Sequence, residues 1–376
     1  MSTPADHKPM KNPPKVPAVP RPSSSVLLIS PTNQILLLHR VKTSTSFASA
    51  HVFPGGALSP EHDGDIPAVD SPLRHRDGPA YRMAAIRETF EECGILLAKH
   101  KDSGKLLSGL SDAEREQGRR AVHSGKTTFP DLLARWNAVP DTESLIPFTR
   151  WITPPNVPKR FSTQMYLYFL PIGSVSPTKR AAPGSTPPAS GLAEEDEIVI
   201  PNPTHDGGIE HTAAHFLPAN KWIDLARQNR IILFPPQFFL LNLLAPYLSP
   251  TVTSPSSPIP DAAALQRERD RCIEFLNKPR VYHGEAEVSF AEACISPLVL
   301  GKGVYGGDRQ SGVGKGVDRD TAVLDLCDPG DEVRAQGLGR RGVREWVVTT
   351  KFKREGPRDV DVRLRDEVLG VLGGKL

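Results

Sequence analysis

The sequence predicts an α/β fold, and three observations carry that expectation. Short, densely apolar runs such as Ser25–Ser30, Gln34–Arg40 and Gln164–Leu170 read as strands, and their apolar density implies burial on both faces. Other segments have helical periodicity, above all those ending at Cys93 and spanning Gln237–Leu248. Clusters of Gly and Pro punctuate these runs. The 376 residues suffice for one large domain or two small ones. Hydrophobic residues make up 38% and prolines number 38, so part of the chain lies outside a core.

Residues 1–22 hold seven prolines and read as a disordered or polyproline-like leader. Those prolines block the amphipathic helix a mitochondrial presequence would need. Ser25–Ser30 and Gln34–Arg40 then form a hairpin across Pro31-Thr32-Asn33. The loop Val52-Phe53-Pro54-Gly55-Gly56 follows, and residues 57–80 are a Pro/Gly/Asp-rich insertion. Met83, Ile86, Phe90 and Cys93 recur at helical spacing, and Gly94 sits where a helix ends in the left-handed conformation. Ile95-Leu96-Leu97 reads as a short buried strand.

Residues 101–145 form a helical insertion. Ser111 and Glu114 make a capping box, and a second helix spans Phe129–Trp136. Phe148–Thr153 is a strand running into a loop, and Gln164–Leu170 a second strand. Residues 173–193 are a Pro/Ser-rich loop before the acidic run Glu194–Glu197. Ala213–Leu217 is a strand and Pro218–Arg227 a helix. Ile231–Pro236 ends a segment before the apolar helix Gln237–Leu248. A Pro/Ser/Thr linker at 249–262 marks a domain boundary. The extension 263–376 beyond it carries a helix at Ala263–Leu276, a Gly-rich stretch at 301–320 and a hairpin joining Val343–Lys353 to Asp359–Arg365.

Several function classes are excluded. A net charge of +3 implies no nucleic-acid partner. The four cysteines are far apart, without zinc-ligand spacing, and fit a reducing compartment. No apolar run reaches the length of a membrane span, and the N-terminus lacks a secretory apolar region. Gly312-Val313-Gly314-Lys315-Gly316 is not a phosphate loop. Arg309 stands where the first glycine belongs, and Gly316 replaces the Ser or Thr.

One constellation asks for a ligand. Glu88, Glu91 and Glu92 lie at i, i+3 and i+4 and share one helix face. Like charges so spaced cost roughly 0.2–0.5 kcal/mol per pair. They also oppose the macrodipole near a helix C-terminus. Glutamates on a helix are usually a solvated surface. A Pro-Gly-Gly loop just upstream shifts the balance toward a divalent cation, for which hard oxygen ligands are suited.

The pattern Arg87-Glu88-x-x-Glu91-Glu92-x-Gly94-Ile95 after Phe53-Pro54-Gly55-Gly56 resembles the signature of Nudix hydrolases. Three stretches are similar to the peroxisomal coenzyme A and acyl-CoA diphosphatase branch. They are the glycine loop with its long insertion, Trp151-Ile152-Thr153-Pro154 with Lys159-Arg160-Phe161-Ser162-Thr163, and Leu233–Phe238. Ser162 departs from the Asp common there. The first glutamate of the signature is also missing, since Pro79 falls at its place. Glu61, Asp63 or Asp65 remain as substitutes, with a plain surface loop as the favoured reading.

The resemblance implies an α/β/α sandwich around a mixed sheet, a small-molecule substrate and a Mg²⁺ or Mn²⁺ cofactor. It makes Glu91 and Glu92 metal ligands, Glu88 a ligand or base, the Gly56 carbonyl a further ligand and Arg87 their orienting partner. Glu210 is the candidate remote ligand or base. Gly55 and Gly56 join the substrate-binding set. So do Lys42, Lys159 and Arg160 for a 3′-phosphate, with Phe161 to stack a base. A solvated basic turn is the competing reading of Lys159-Arg160. The implied reaction splits the diphosphate of coenzyme A or acyl-CoA into 3′,5′-ADP and (acyl-)4′-phosphopantetheine. The same site serves ADP-ribose or NADH, and a non-catalytic binding module is the other alternative. The final Gly374-Lys375-Leu376 nearly matches the peroxisomal Ser-Lys-Leu address, so peroxisome and cytosol both stand.

Overall fold

A computed structural model describes residues 17–41, 49–173, 203, 211–248, 261–300, 318, 320–337 and 339–370. The chain opens with β1 (Arg21–Ile29), β2 (Ile35–Arg40), β3 (His51–Val52) and β4 (Gly55–Ala57). A one-turn helix α1 (Pro60–Asp63) and the long helix α2 (Pro79–Cys93) follow. An excursion comprises β5 (Ala98–His100), α3 (Asp112–His123), α4 (Phe129–Arg135) and β6 (Ala138–Pro140). The chain returns through β7 (Ile146–Ile152), β8 (Phe161–Phe169), β9 (His211–Leu217), α5 (Ala219–Arg227) and α6 (Pro235–Leu244). Next come α7 (Ala262–Asn277), β10 (Arg280–Tyr282), β11 (Glu285–Glu287), β12 (Cys294–Ile295) and β13 (Leu298–Val299). The last elements are β14 (Ala322–Asp325), α8 (Asp331–Ala335), β15 (Trp346–Lys353), β16 (Gly356–Leu364) and α9 (Arg365–Leu369).

Eight strands make one mixed sheet in the order β12-β7-β8-β1-β2-β3, with β4 pairing β1 and β9 pairing β2. At its centre β1 runs parallel to β8, from Arg21↔Phe161 to Ile29↔Phe169. Alternation along each strand sends successive side chains to opposite faces. Val26, Leu28, Leu36, Leu38, Tyr166 and Tyr168 join the core beneath α2. Leu27, Ile29, Ile35, Leu37, Met165 and Leu167 join the core formed with α5 and α6. This is the expected α/β/α sandwich, and it explains why the central strands are apolar at nearly every position. The segment after residue 261 packs into the same structure. Ile295 of β12 pairs with Trp151 of β7, and Cys272, Leu276 and Phe290 enter the α6-side core.

Helix α2 begins with Pro79 in its first turn, where a missing N–H costs nothing. It buries Ile86, Phe90 and Cys93 and ends at Gly94, whose φ of 74° is left-handed. The capping box at the start of α3 is present as expected. So is the hairpin of β15 and β16.

Three expectations are corrected. Ile95–Leu97 is no strand: the ladder starts at Ala98, and Ile95 and Leu97 are buried as core plugs below α2. Pro235 opens α6 instead of ending the segment before it, because proline suits a first helical turn. β1 takes in Arg21 and Pro22, the end of the expected leader, and the Pro22 carbonyl accepts the Leu58 N–H at 3.0 Å. The Gly-rich 301–317 and residues 371–376 lie outside the described residues. Among the described residues no helix is long and apolar enough to cross a membrane.

Candidate active site

The last two turns of α2 carry the three glutamates to the turn between β3 and β4. β4 pairs with β1 so that Gly56 lies opposite Ser24, which sets Gly55 and Gly56 against the helix. Glu92 Oε2 accepts the Gly55 N–H at 2.7 Å. The Glu88 carboxyl sits so close to Gly56 that a Cβ there would stand 2.5 Å from its carbon. Only glycine leaves that carboxylate its place.

Arg87, 4% exposed, organises the cluster from below. Its Nε and Nη2 each donate to Asp63 at 2.9 Å, and a further Nη2 bond reaches the Ala57 carbonyl at 3.1 Å. Nη1 donates to Glu88 Oε1 and Glu91 Oε1, both at 2.8 Å. A guanidinium has five N–H groups, so these five bonds spend it completely. Burial alone would lower the Arg87 pKa, but Asp63, Glu88 and Glu91 together raise it. Burial pushes the Glu88 carboxyl up to about 7, with Glu91 and Asp63 adding to that against the pull of Arg87.

Asp63 corrects the plain-loop reading of the insertion. Of the three acids left open there, Glu61 and Asp65 are exposed while Asp63 is buried and takes both forks of Arg87. Its Oδ2 also accepts the Ser59 N–H at 2.8 Å, closing the single turn of α1. Ser59-Pro60 before three polar residues was the available signal, a helix start hidden in a Pro/Gly-rich stretch.

A second arginine went unnoticed in the sequence. Arg119 of α3, 3% exposed, donates to the carbonyls of Glu91 at 2.6 Å and Glu92 at 2.8 Å. One turn later His123 Nδ1 lies 3.4 Å from Glu91 Oε2. The helix end that the glutamates destabilise is therefore met by Arg119 and His123 from the excursion.

Asp63, Glu88 and Glu91 thus gather around Arg87, with Glu92 against Gly55, and negative charge is in surplus. Arg87 occupies the space between Glu88 and Glu91. Among the described residues, no three His, Cys, Asp or Glu side chains are grouped so that they could hold a metal ion. The expected ligand set is therefore assembled but not converged, because the guanidinium draws two of its carboxylates to itself. The chemistry of the donor set still fits a hard divalent cation. It is all oxygen, it carries excess negative charge, and Glu88 Oε2 has no hydrogen-bond partner among the described residues beside the bare Gly56.

Residues 65–179 match the family model described as the NUDT19 Nudix domain. Over this region the chain is similar to the Nudix superfamily. It is 34% identical over 128 residues to acyl-coenzyme A diphosphatase NUDT19 of Gallus gallus, covering 30% of this chain and 33% of that protein. It is 29% identical over 150 residues to putative nudix hydrolase 7 of Caenorhabditis elegans, covering 39% of this chain and 42% of that one. These matches span less than half the length of either relative. Among solved structures, a NUDIX hydrolase from Alicyclobacillus acidocaldarius has a TM-score of 0.44 and 20% identity, over 60% of this chain and 91% of that one.

Other residues expected at the Nudix site lie elsewhere. Arg160 is buried and does not serve as an exposed phosphate clamp. Its Nε donates to the Thr153 carbonyl at 2.9 Å, and its Nη1 to the Ala18 carbonyl at 2.9 Å and to Glu332 at 2.6 Å. It ties the β7–β8 turn to the start of the described chain and to α8. Lys159 is exposed on the same turn. Phe161 opens β8 opposite Arg21, three residues before the Gln164–Ser24 pair that aligns with Gly56, or about 10 Å along the strand. Lys42 and Glu210 lie outside the described residues. His39 and His51 stack at 4.7 Å, and burial, then His39 and His215, hold the His51 pKa down to about 4.

Proposed function

We propose that this chain is a metal-dependent diphosphatase acting on coenzyme A or acyl-CoA, releasing 3′,5′-ADP and (acyl-)4′-phosphopantetheine. The observation that carries the hydrolytic reading is the packing of Glu88 and Glu91 on Arg87, with Glu92 bonded to Gly55 on the same side of the helix. Glu88, Glu91 and Glu92 would hold Mg²⁺ or Mn²⁺, which when bound lowers the pKa of water and neutralises phosphoryl oxygens. The chain's own residues do the rest. Gly56 keeps side chains out of the approach to Glu88. Arg87 fixes the rotamers of Glu88 and Glu91 by charge-assisted bonds. Glu88 Oε2, which has no hydrogen-bond partner among the described residues, is placed to act as ligand or base.

The substrate assignment draws support from the similarity to the acyl-coenzyme A diphosphatase of Gallus gallus and from the flanking stretches Trp151–Pro154 and Leu233–Phe238. We assign catalysis to residues 23–248 and an accessory role to 263–376. One observation favours a second reading: with Arg160 buried and held by internal partners through Nε and Nη1, a basic contact proposed for a 3′-phosphate is weakened. ADP-ribose or NADH lacks that phosphate. Purified chain with Mg²⁺ is to be assayed on coenzyme A, acyl-CoA, ADP-ribose and NADH. Faster release of 3′,5′-ADP than of AMP supports the first reading, and the reverse supports the second. If no diphosphate is cleaved, the chain is a binding module.

A further inference from the structure

We propose that Arg119 is a positioning residue for the carboxylate array, clamping the backbone of Glu91 and Glu92 from outside the Nudix helix. The inference rests on the reading of those carboxylates as a metal-holding set.

A helix leaves its last carbonyls without intrahelical partners. In α2 the Phe90 carbonyl is taken by the Gly94 N–H at 2.9 Å. The next two, of Glu91 and Glu92, are taken by Arg119 Nε and Nη2 at 2.6 and 2.8 Å. One planar guanidinium thus spans two successive peptide groups and fixes their relative orientation. The side chains bearing the proposed ligands leave the backbone at these same two residues. A lysine could supply the charge but not the two-pronged, rigid geometry. Arg119 also puts a cation at the negative end of the helix dipole, where three glutamates already raise the local cost.

The clamp is itself held in place. Arg119 is 3% exposed, with Nη1 3.4 Å from Glu116 one turn earlier. The excursion docks on α2 through aromatic contacts: Trp136 meets Phe90 edge-on at 6.0 Å, and Phe129 lies 6.1 Å from the same ring. The Phe129 N–H donates to His62 Nδ1 at 3.1 Å, so α4 is also pinned to α1, which carries Asp63. His123 reaches the Glu91 carboxylate from the same helix as Arg119. The two insertions therefore grip the Nudix helix together, Asp63 through Arg87 and Arg119 through the carbonyls.

A helix cap with no further role would contribute stability and nothing else. The distinguishing readouts are metal affinity and the local opening of the last turn. Mn²⁺ is titrated into the full chain by electron paramagnetic resonance for wild type, Arg119→Ala and Arg119→Lys. Amide hydrogen exchange is followed over residues 90–94. Arg119→Ala should weaken Mn²⁺ binding by about 10- to 100-fold. It should speed exchange in that turn while the rest of the chain stays protected, and Arg119→Lys should recover part of the affinity. A folded Arg119→Ala with wild-type Mn²⁺ affinity and wild-type exchange overturns the clamp. Should Arg119→Ala unfold, Arg119→Lys decides: weakened Mn²⁺ binding supports the clamp and wild-type affinity overturns it. A wild type that binds no Mn²⁺ overturns the metal reading alone, and exchange in the last turn then decides the clamp.

Discussion

The two ends of α2 meet opposite charges and deal with them by different means. At its start lies a base-rich cluster. Arg150 is fully buried and donates to Ser162 Oγ at 3.1 Å and the Arg76 carbonyl at 2.8 Å, with its guanidinium 4.4 Å from the centre of the Tyr81 ring. His75 shares the same serine at 2.9 Å. Burial, then Arg150 and its neighbouring arginines, hold the His75 pKa down to about 4, so the imidazole is neutral. The groups that meet Arg150 there are neutral: a hydroxyl, a carbonyl and a π face. At the other end four carboxylates need donors, and Arg87 has none left. The base-rich end keeps its cations among neutral groups, although Arg150 Nε and Arg74 Nε are buried there without a hydrogen-bond partner among the described residues. The acid-rich end is where one more cation would be stabilised.

The largest effect should come from breaking the acid-rich end. Glu91→Gln or Glu92→Gln should lower kcat by orders of magnitude while leaving the melting temperature unchanged or slightly raised, since one like charge is gone. Near wild-type turnover by the double variant would sink the site assignment. Next is Asp63→Ala, which leaves Arg87 buried and short of its bidentate partner. Urea unfolding should report a loss of about 3 kcal/mol. A loss below about 0.5 kcal/mol, as at an ordinary surface position, would make α1 a dispensable loop.

A smaller effect tests the base-rich end. The folded pKa of His75 lies below the ordinary 6.5, so its contribution is full above pH 6.5 and is lost as pH falls toward 4. His51 shares that direction and window. Unfolding midpoints should therefore fall between pH 6.5 and pH 4, and Ser162→Asp should lessen the fall. A carboxylate beside His75 Nδ1 favours the charged ring, so its pKa should rise in an NMR titration. An unmoved His75 pKa in that variant would contradict the placement of His75 Nδ1 beside residue 162.

Much of this was legible because it is local. The glutamate spacing, the Gly94 stop, the Ser111–Glu114 box and the two-faced strands are set within a few residues. Asp63, Arg119 and Arg160 were not, because each acts across the fold. Asp63 meets Arg87 24 positions away, Arg119 reaches Glu91 over 28, and Arg160 pairs with Glu332 over 172. Composition misled at two of these places. A Pro/Gly/Asp-rich insertion looked solvent-exposed yet holds a buried aspartate. A Lys-Arg turn looked like a clamp, yet its arginine is an internal tie.

The central claim is that the acid-rich end of α2 holds a catalytic divalent cation. Purified chain incubated with coenzyme A, with and without Mg²⁺, alongside Glu91→Gln, tests it most directly. The account predicts release of 3′,5′-ADP by the wild type only with Mg²⁺ and none detectable from the variant. Equal release without the metal, or from Glu91→Gln, would contradict it.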